Sequence, residues 1–505
     1  MNAARPRSWM QTGVAIAATL LLIAVTALLG LYLGNTVTGA NWQDAVRLAG
    51  LGGVMFAIFL NPVLGMFLWI ILEPFTRFWY LSMRLPPGIP DLSLSRLSLS
   101  LLAVVWVAQL ASGKKKMRRL TLAEVAIGFF CLFALPSVVS SMRGAPYAAQ
   151  SLFDKFVAPY AVFVLAKNLY DEKKGIARLG GALSVIGLYL SCLVFFEQVT
   201  GQPLFYGLGR TTTYTRSLRK IVSLLGNPSY LGTVLGMVAP YALYRLVRER
   251  SPSAKALWGA LFLGCTAASF LCYNRGVWLA LAVGFVVMLV LEKRYRRLLV
   301  PLLLIALLVG VLSWQTLTES ALVTERLTNI SGVTFRLIML QASQRMIREH
   351  LAFGVGLENY GFYFLQYGGH WETLAYDVPT PHNSYVLVLT TMGLASAVPY
   401  VLVFVSLIAE SVAALRRRRA NANVDTELLV AGLAAMAIYM VSAAAVDIFI
   451  LPFTSLVFFA IAGTIMGYAS TLRTRRAMPQ AQHGLVSQMA APAPPASPPP
   501  QTEKA

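Results

Sequence analysis

Four short stretches hold the side chains able to do chemistry. They are GNPSYLG at 226–232, NRGVWLA at 274–280, a run from Thr334 through HLAFGVGLENYG at 350–361, and PHNSYVLVLTTMGL at 381–394. The groups of interest are Arg275, Arg336 and His382, the last followed by Asn383 and Tyr385. A fifth stretch, 198–225, adds Arg210, Arg216, Arg219 and Lys220. A guanidinium stays charged and can grip two phosphate oxygens, so these positions suit an anionic ligand. Contact with lipid headgroups would serve them nearly as well. The plainer reading of Arg275 alone is an interfacial anchor whose side chain snorkels. An imidazole titrates near neutrality and can accept or guide a proton. The plainer reading of His382 is an interfacial residue flanking a helix cap at Asn383 or Ser384. Gly354 and Gly356 allow a turn that approaches a phosphate, although ending a helix explains them more economically.

These residues must be held by helices that cross a bilayer. Of 505 residues, 57% are hydrophobic and 12% charged, about half the charge of an ordinary soluble domain. Apolar runs of span length recur near 11–33, 45–60, 62–80, 95–112, 121–141, 152–168, 176–196, 226–246, 255–272, 275–291, 298–316, 383–413, 427–446 and 452–470. Such runs exclude a transmembrane β-barrel, whose strands alternate in polarity. The first is longer than the apolar part of a signal peptide and reads as a retained span. The fold class is therefore all-α, a polytopic bundle of about 12–14 spans.

The net charge of +21 sits in short clusters at 114–119, 245–250, 292–297, 416–419 and 473–476. With the N-terminus inside, the span count puts every cluster on the cytoplasmic side, the positive-inside pattern. This distribution argues against nucleic acid as a partner. Both termini are then cytoplasmic, and the segments 141–151, 198–225 and 317–381 face outward. Within the last, 334–350 repeats its apolar residues at helical spacing and reads as an amphipathic helix on the membrane surface or capping the bundle. The tail from 473 to 505 is rich in Ala and Pro and cannot bury a core. The chain divides into N-terminal spans 1–225, a region 226–472 with the large loop 317–381, and the tail. The four cysteines show no metal or disulfide spacing.

In order and spacing, the four stretches resemble the bacterial O-antigen ligase and O-antigen polymerase superfamily. The resemblance spans roughly residues 219–470 and is strongest over 258–400. The family's arginine-glycine entry to a span is matched by Arg275-Gly276. Its Arg-led amphipathic helix, ending near Gly-x-Gly, is matched by Arg336 through Gly354 and Gly356. Its His-Asn-x-Tyr entry to a late span is matched by His382, Asn383, Ser384 and Tyr385. Asn274 stands where the family often has Ser, Leu351 where Pro often follows the His, and Thr391 where an acidic residue often precedes Met392-Gly393.

The resemblance implies a metal-independent, GT-C-like membrane glycosyltransferase without a cofactor, in the bacterial inner membrane, its active site facing the periplasm. The donor is a glycan on undecaprenyl pyrophosphate. The acceptor is lipid A-core for a ligase, or another lipid-linked glycan for a polymerase making O-antigen or exopolysaccharide. By the same resemblance His382 activates the acceptor hydroxyl. Arg275 grips the pyrophosphate, with Arg216, Arg219 or Lys220 as a second hold. Arg336, Gly354, Gly356, Asn383 and Tyr385 belong to a possible substrate loop, though Tyr385 also reads as interface packing. Glu73, Asp154, Lys155, Glu197 and Asp447 lie near span ends within reach of headgroups and receive no role. The rival class is a secondary transporter or lipid-linked glycan flippase, which would show mid-span charges and a repeated half; the chain has few of the first and no evident repeat. Oligomeric state is not legible.

Overall fold

A computed structural model describes residues 42–76, 82–83, 92–170, 174–205, 221–312, 331–368, 380–416 and 424–477. The apolar runs become helices because short polar residues start them. Asn61, Ser93, Asn227, Asn274 and Asp425 each accept a backbone N–H of the first turn through a side-chain oxygen. Proline opens several helices, where its missing N–H costs nothing.

The helices are α1 (Trp42–Leu60), α2 (Pro62–Leu72), α3 (Leu94–Ala111), α4 (Leu122–Phe133), α5 (Leu135–Val139), α6 (Ala145–Leu152) and α7 (Ala158–Asn168). They continue as α8 (Gly175–Thr200), α9 (Pro228–Arg248), α10 (Pro252–Leu271), α11 (Arg275–Leu291), α12 (Lys293–Leu312) and α13 (Ser331–Glu349). The last are α14 (Tyr360–Tyr367), α15 (Ser384–Arg416), α16 (Thr426–Ala443) and α17 (Pro452–Ala477). A two-residue ribbon pairs Ser82–Met83 with Leu92–Ser93.

Among the described residues nine helices are long and apolar enough to cross a membrane, and three shorter apolar helices accompany them. The chain is an all-α polytopic bundle and an integral membrane protein. The expected span 11–33 and the tail beyond 477 lie outside the described residues. Helices α9, α16 and α17 are buried along most of their length and form the centre. Helix α12 turns Leu303, Leu304, Leu307 and Leu308 outward, as a lipid-facing rim requires. Helices from both sides of residue 225 share one core: α17 packs along α7, and α15 along α4.

Two differences from the sequence reading matter for the site. The stretch 141–151, expected as a loop, is helical from Ala145, because Gly144 (φ +90°) makes the turn and Pro146 starts the helix. That helix runs into α7 through a π-helical turn, Phe153–Val157. The late span is also broken. Gly393, at φ +69° and ψ −177°, interrupts α15 in a conformation open in practice only to glycine.

The break exposes backbone groups that the 350–356 loop takes up. Val355 and Gly356 donate to the carbonyls of Thr390 and Thr391, each at 2.9 Å. Leu394 and Ala395 donate to those of Leu351 and Ala352, at 2.8 and 3.1 Å. A side chain at Gly393 would place its first carbon 2.3 Å from the Ala352 carbonyl oxygen. Gly393→Ala is therefore expected to undock the loop, with backbone strain alone costing roughly 1–3 kcal/mol. Faster proteolysis between 350 and 360 in purified protein would show it; a wild-type cleavage rate would rule out this role for the break.

Candidate functional site

The 444–448 turn, between α16 and α17, gathers the singled-out stretches at one end of the bundle. The buried Asp447 carboxylate accepts the backbone N–H of His382 (3.1 Å) and that of Asn383 (2.9 Å). Tyr230, in the first stretch, donates its hydroxyl to the Asp447 carbonyl at 3.2 Å. Ser384 donates to the Val446 carbonyl and accepts from Ile448 N–H, both at 2.9 Å. The second stretch arrives through Gly276, where an added Cβ would lie 2.6 Å from that of Ala445. Glycine beside Arg275 thus lets the start of α11 sit against the same turn. Asn274 completes the join by donating to Ser229 Oγ at 2.6 Å.

His382 holds a left-handed backbone, φ +50°, uncommon for a residue with a side chain. The two N–H bonds to Asp447 hold it there. Its imidazole Nδ1 lies 3.9 Å from Asp447 Oδ2 and keeps about two-fifths of its surface exposed. The side chain therefore lies beside a carboxylate, beyond hydrogen-bond distance, and keeps part of its surface open. Burial raises the Asp447 pKa, against the Thr380 hydroxyl, the His382 charge and the two N–H donors, which lower it. A carboxyl with a raised folded-state pKa adds stability only below its unfolded value and loses that as pH rises through the folded one.

Helix α13 closes over this turn. Phe335 lies 6.2 Å, ring to ring, from His382. The Arg336 guanidinium keeps a solvent-facing edge. Surrounding protein lowers its pKa by desolvation, the Arg275 charge lowers it further, and Asp447 opposes both. Two guanidiniums close enough to repel, beside an imidazole, form a place for a multiply charged anion. An anion there would offset the repulsion between the two guanidiniums.

Residues 259–401 match the O-antigen ligase family. Over this segment, less than half of its length, the chain is similar to that family. The match spans α11, α13, the loop and the start of α15, so it contains Arg275, Arg336, Gly354, Gly356, His382, Asn383 and Tyr385. No curated protein matches the chain.

The O-antigen ligase segment separates these residues by task. Arg275, Arg336 and His382 surround the turn. Asn383 caps α15, accepting from Tyr385 and Val386 N–H, and Tyr385 donates to the Met440 carbonyl while packing on Tyr400 and Phe404. Gly354 (φ +73°) and Gly356 (φ +99°) serve loop docking, since a Cβ on Gly354 would lie 2.4 Å from the Thr391 carbonyl carbon. His350 packs against Tyr363. Arg216, Arg219, Lys220 and His370 lie outside the described residues. Close by, the buried Glu197 accepts the N–H groups of Val222 and Ser223, anchoring the chain directly after that basic segment.

Asp447 is the site residue that sequence reasoning passed over. It lies outside the matched segment, and its charge near a span end reads as ordinary. A polar residue just past an apolar run, with another apolar run following at once, was the available signal.

The loop is tied down from its other side as well. Lys155, in the π turn, pairs with Glu358, which also accepts from Ser151 at 2.6 Å. Asn359 accepts from Met142 N–H and donates to the Ser140 and Val355 carbonyls. Burial acts to raise the Glu358 pKa, and Lys155, Ser151 and Arg143 outweigh it and lower it. That docking is accordingly strongest above the ordinary carboxylate range and is lost as pH falls through the depressed value.

Proposed function

We propose that the protein is a metal-independent membrane glycosyltransferase of the GT-C-like kind, facing the periplasm from the bacterial inner membrane. It moves a glycan from undecaprenyl pyrophosphate to an acceptor hydroxyl, on lipid A-core or on another lipid-linked glycan. The observation that carries this reading is the meeting of Arg275, Arg336, His382 and Asp447 at one bundle end, three of them within the O-antigen ligase segment.

In this reading the acceptor oxygen attacks the anomeric carbon while the carbon–oxygen bond to pyrophosphate breaks. The pyrophosphate leaves with the bonding pair, held by Arg275 and Arg336 and by a basic group of the 216–220 segment. His382 takes the acceptor proton, and the nearby Asp447 carboxylate stabilises the imidazolium that forms. The 226–472 region and the 216–220 segment supply this machinery, and the remaining spans of 1–225 support it.

A broken helix is also a feature of transporters. Here the groups freed at Gly393 are taken by the 350–356 loop, which supports a docking device for an enzyme's outer loop.

The topology is open to a direct test. Reporter fusions after Lys115, Glu249 and Arg418 are expected to lack alkaline phosphatase activity, and a fusion after Thr373 to show it. Activity at Arg418, or none at Thr373, would place the site on the wrong face for a periplasmic transfer.

A further inference from the structure

A cavity of about 190 Å³ lies beside the 448–451 turn, separate from the His382 site. Its charged lining is Glu73, Arg96 and Asp154, with the Thr76, Ser93 and Ser95 hydroxyls beside them, and its apolar lining includes Pro74 and Phe453. Three distant parts of the chain supply its charged groups. Glu73 follows α2, Arg96 opens α3, and Asp154 sits in the π turn between α6 and α7.

The polar groups are held in place. Arg96 meets Asp154 through two bonds, Nε to Oδ1 at 3.1 Å and Nη2 to Oδ2 at 2.6 Å. Glu73 accepts from Trp69 Nε1 at 2.8 Å and from Ser95 Oγ at 2.5 Å. The cavity is smaller than the roughly 300–1,000 Å³ that holds a drug-sized ligand. Fixed carboxylates, a guanidinium and a hydroxyl, beside a proline and a phenylalanine, match one ligand class above others. A sugar ring presents hydroxyls at its edge and C–H groups on its faces.

Two further observations tie the cavity to the site. Leu451, in its wall, lies four residues from Asp447 along a short 3-10 turn. The π turn also serves both places, because Asp154 faces the cavity through Arg96 while its neighbour Lys155 pairs with Glu358 of the docked loop. Inserted π turns are frequent at functional sites.

We propose that this cavity binds a sugar residue of the lipid-linked glycan, recognising it by hydroxyl contacts to Glu73 and Asp154. The proposal rests on the transferase reading, in which the 444–451 turn then joins the pyrophosphate-proximal chemistry to a sugar-recognising pocket.

Binding tests it apart from catalysis. Purified full-length protein in nanodiscs is titrated with the glycan-bearing undecaprenyl pyrophosphate extracted from host membranes, and with undecaprenyl pyrophosphate alone. Wild type is expected to prefer the glycan-bearing lipid by about tenfold, the scale of one charge-assisted hydrogen bond. Glu73→Gln removes the charge at nearly constant shape, and Ala158→Leu fills the cavity and leaves its charges alone. Loss of the preference in either variant, with affinity for the bare lipid retained, supports the pocket. Equal binding of both lipids by wild type overturns it. So does a preference kept by both variants, or loss of both affinities in both, which would make these groups part of the fold only. Glycan transfer by the same wild-type sample tests the transferase reading separately.

Discussion

His382→Ala is expected to abolish glycan transfer while the protein inserts and accumulates normally. The acceptor hydroxyl is a poor nucleophile, and a positioned base contributes about two to four orders of magnitude. The imidazole is part-exposed and lies 3.9 Å from a buried carboxylate oxygen. Stability should change little. Asp447 holds this turn through backbone N–H groups, which alanine keeps. The left-handed φ of +50° suits alanine no worse than histidine on steric grounds alone. Lipid-linked donor should build up unused, and His370→Ala, in the same outer segment, should stay active. The measurement is glycan transfer by gel in a strain lacking its own enzyme, with membrane protein quantified. Normal glycan from His382→Ala would remove the catalytic role, and loss of the protein would make His382 structural.

Arg275→Ala is expected to lower transfer by about 10²–10³-fold, the usual cost of losing one charge-stabilising donor from a transition state. Arg275→Lys separates a grip from a simple charge. Lysine keeps the charge and loses the two-pronged fork, so it should impair transfer nearly as much as alanine. The neighbourhood sharpens this expectation. Removing Arg275 also removes a charge that lowers the Arg336 pKa. A less stable variant with intact transfer would favour an interfacial anchor.

The apolar runs made the helical bundle readable from the sequence, because span length is a local property of the chain. The late span was readable too, though its break was not. Gly393 is one glycine among many in apolar runs, and its φ is stabilised by backbone bonds to a loop some forty residues earlier. Gly354 and Gly356 read mainly as the end of a helix, and their docking was not visible for the same reason; their partners at Thr390 and Thr391 are distant in sequence. Arg275, Arg336 and His382 were legible as candidates, but their meeting was not. It depends on Gly276 seating against Ala445 and on Asp447 reaching back to His382, contacts that span well over a hundred and about sixty residues. Asp447 itself was missed because an acidic residue between two apolar runs has the appearance of a headgroup contact.

The most direct measurement is transfer by the purified protein alone. Wild-type protein in proteoliposomes is given glycan-bearing undecaprenyl pyrophosphate, a chelator to remove divalent metal, and either lipid A-core or a second lipid-linked glycan. Transfer to one of the two acceptors is expected, with undecaprenyl pyrophosphate released in equal amount and His382→Ala inactive in the same vesicles. No transfer to either acceptor by protein that binds the donor, or transfer only when metal is restored, would contradict a metal-independent glycosyltransferase built on Arg275, Arg336 and His382.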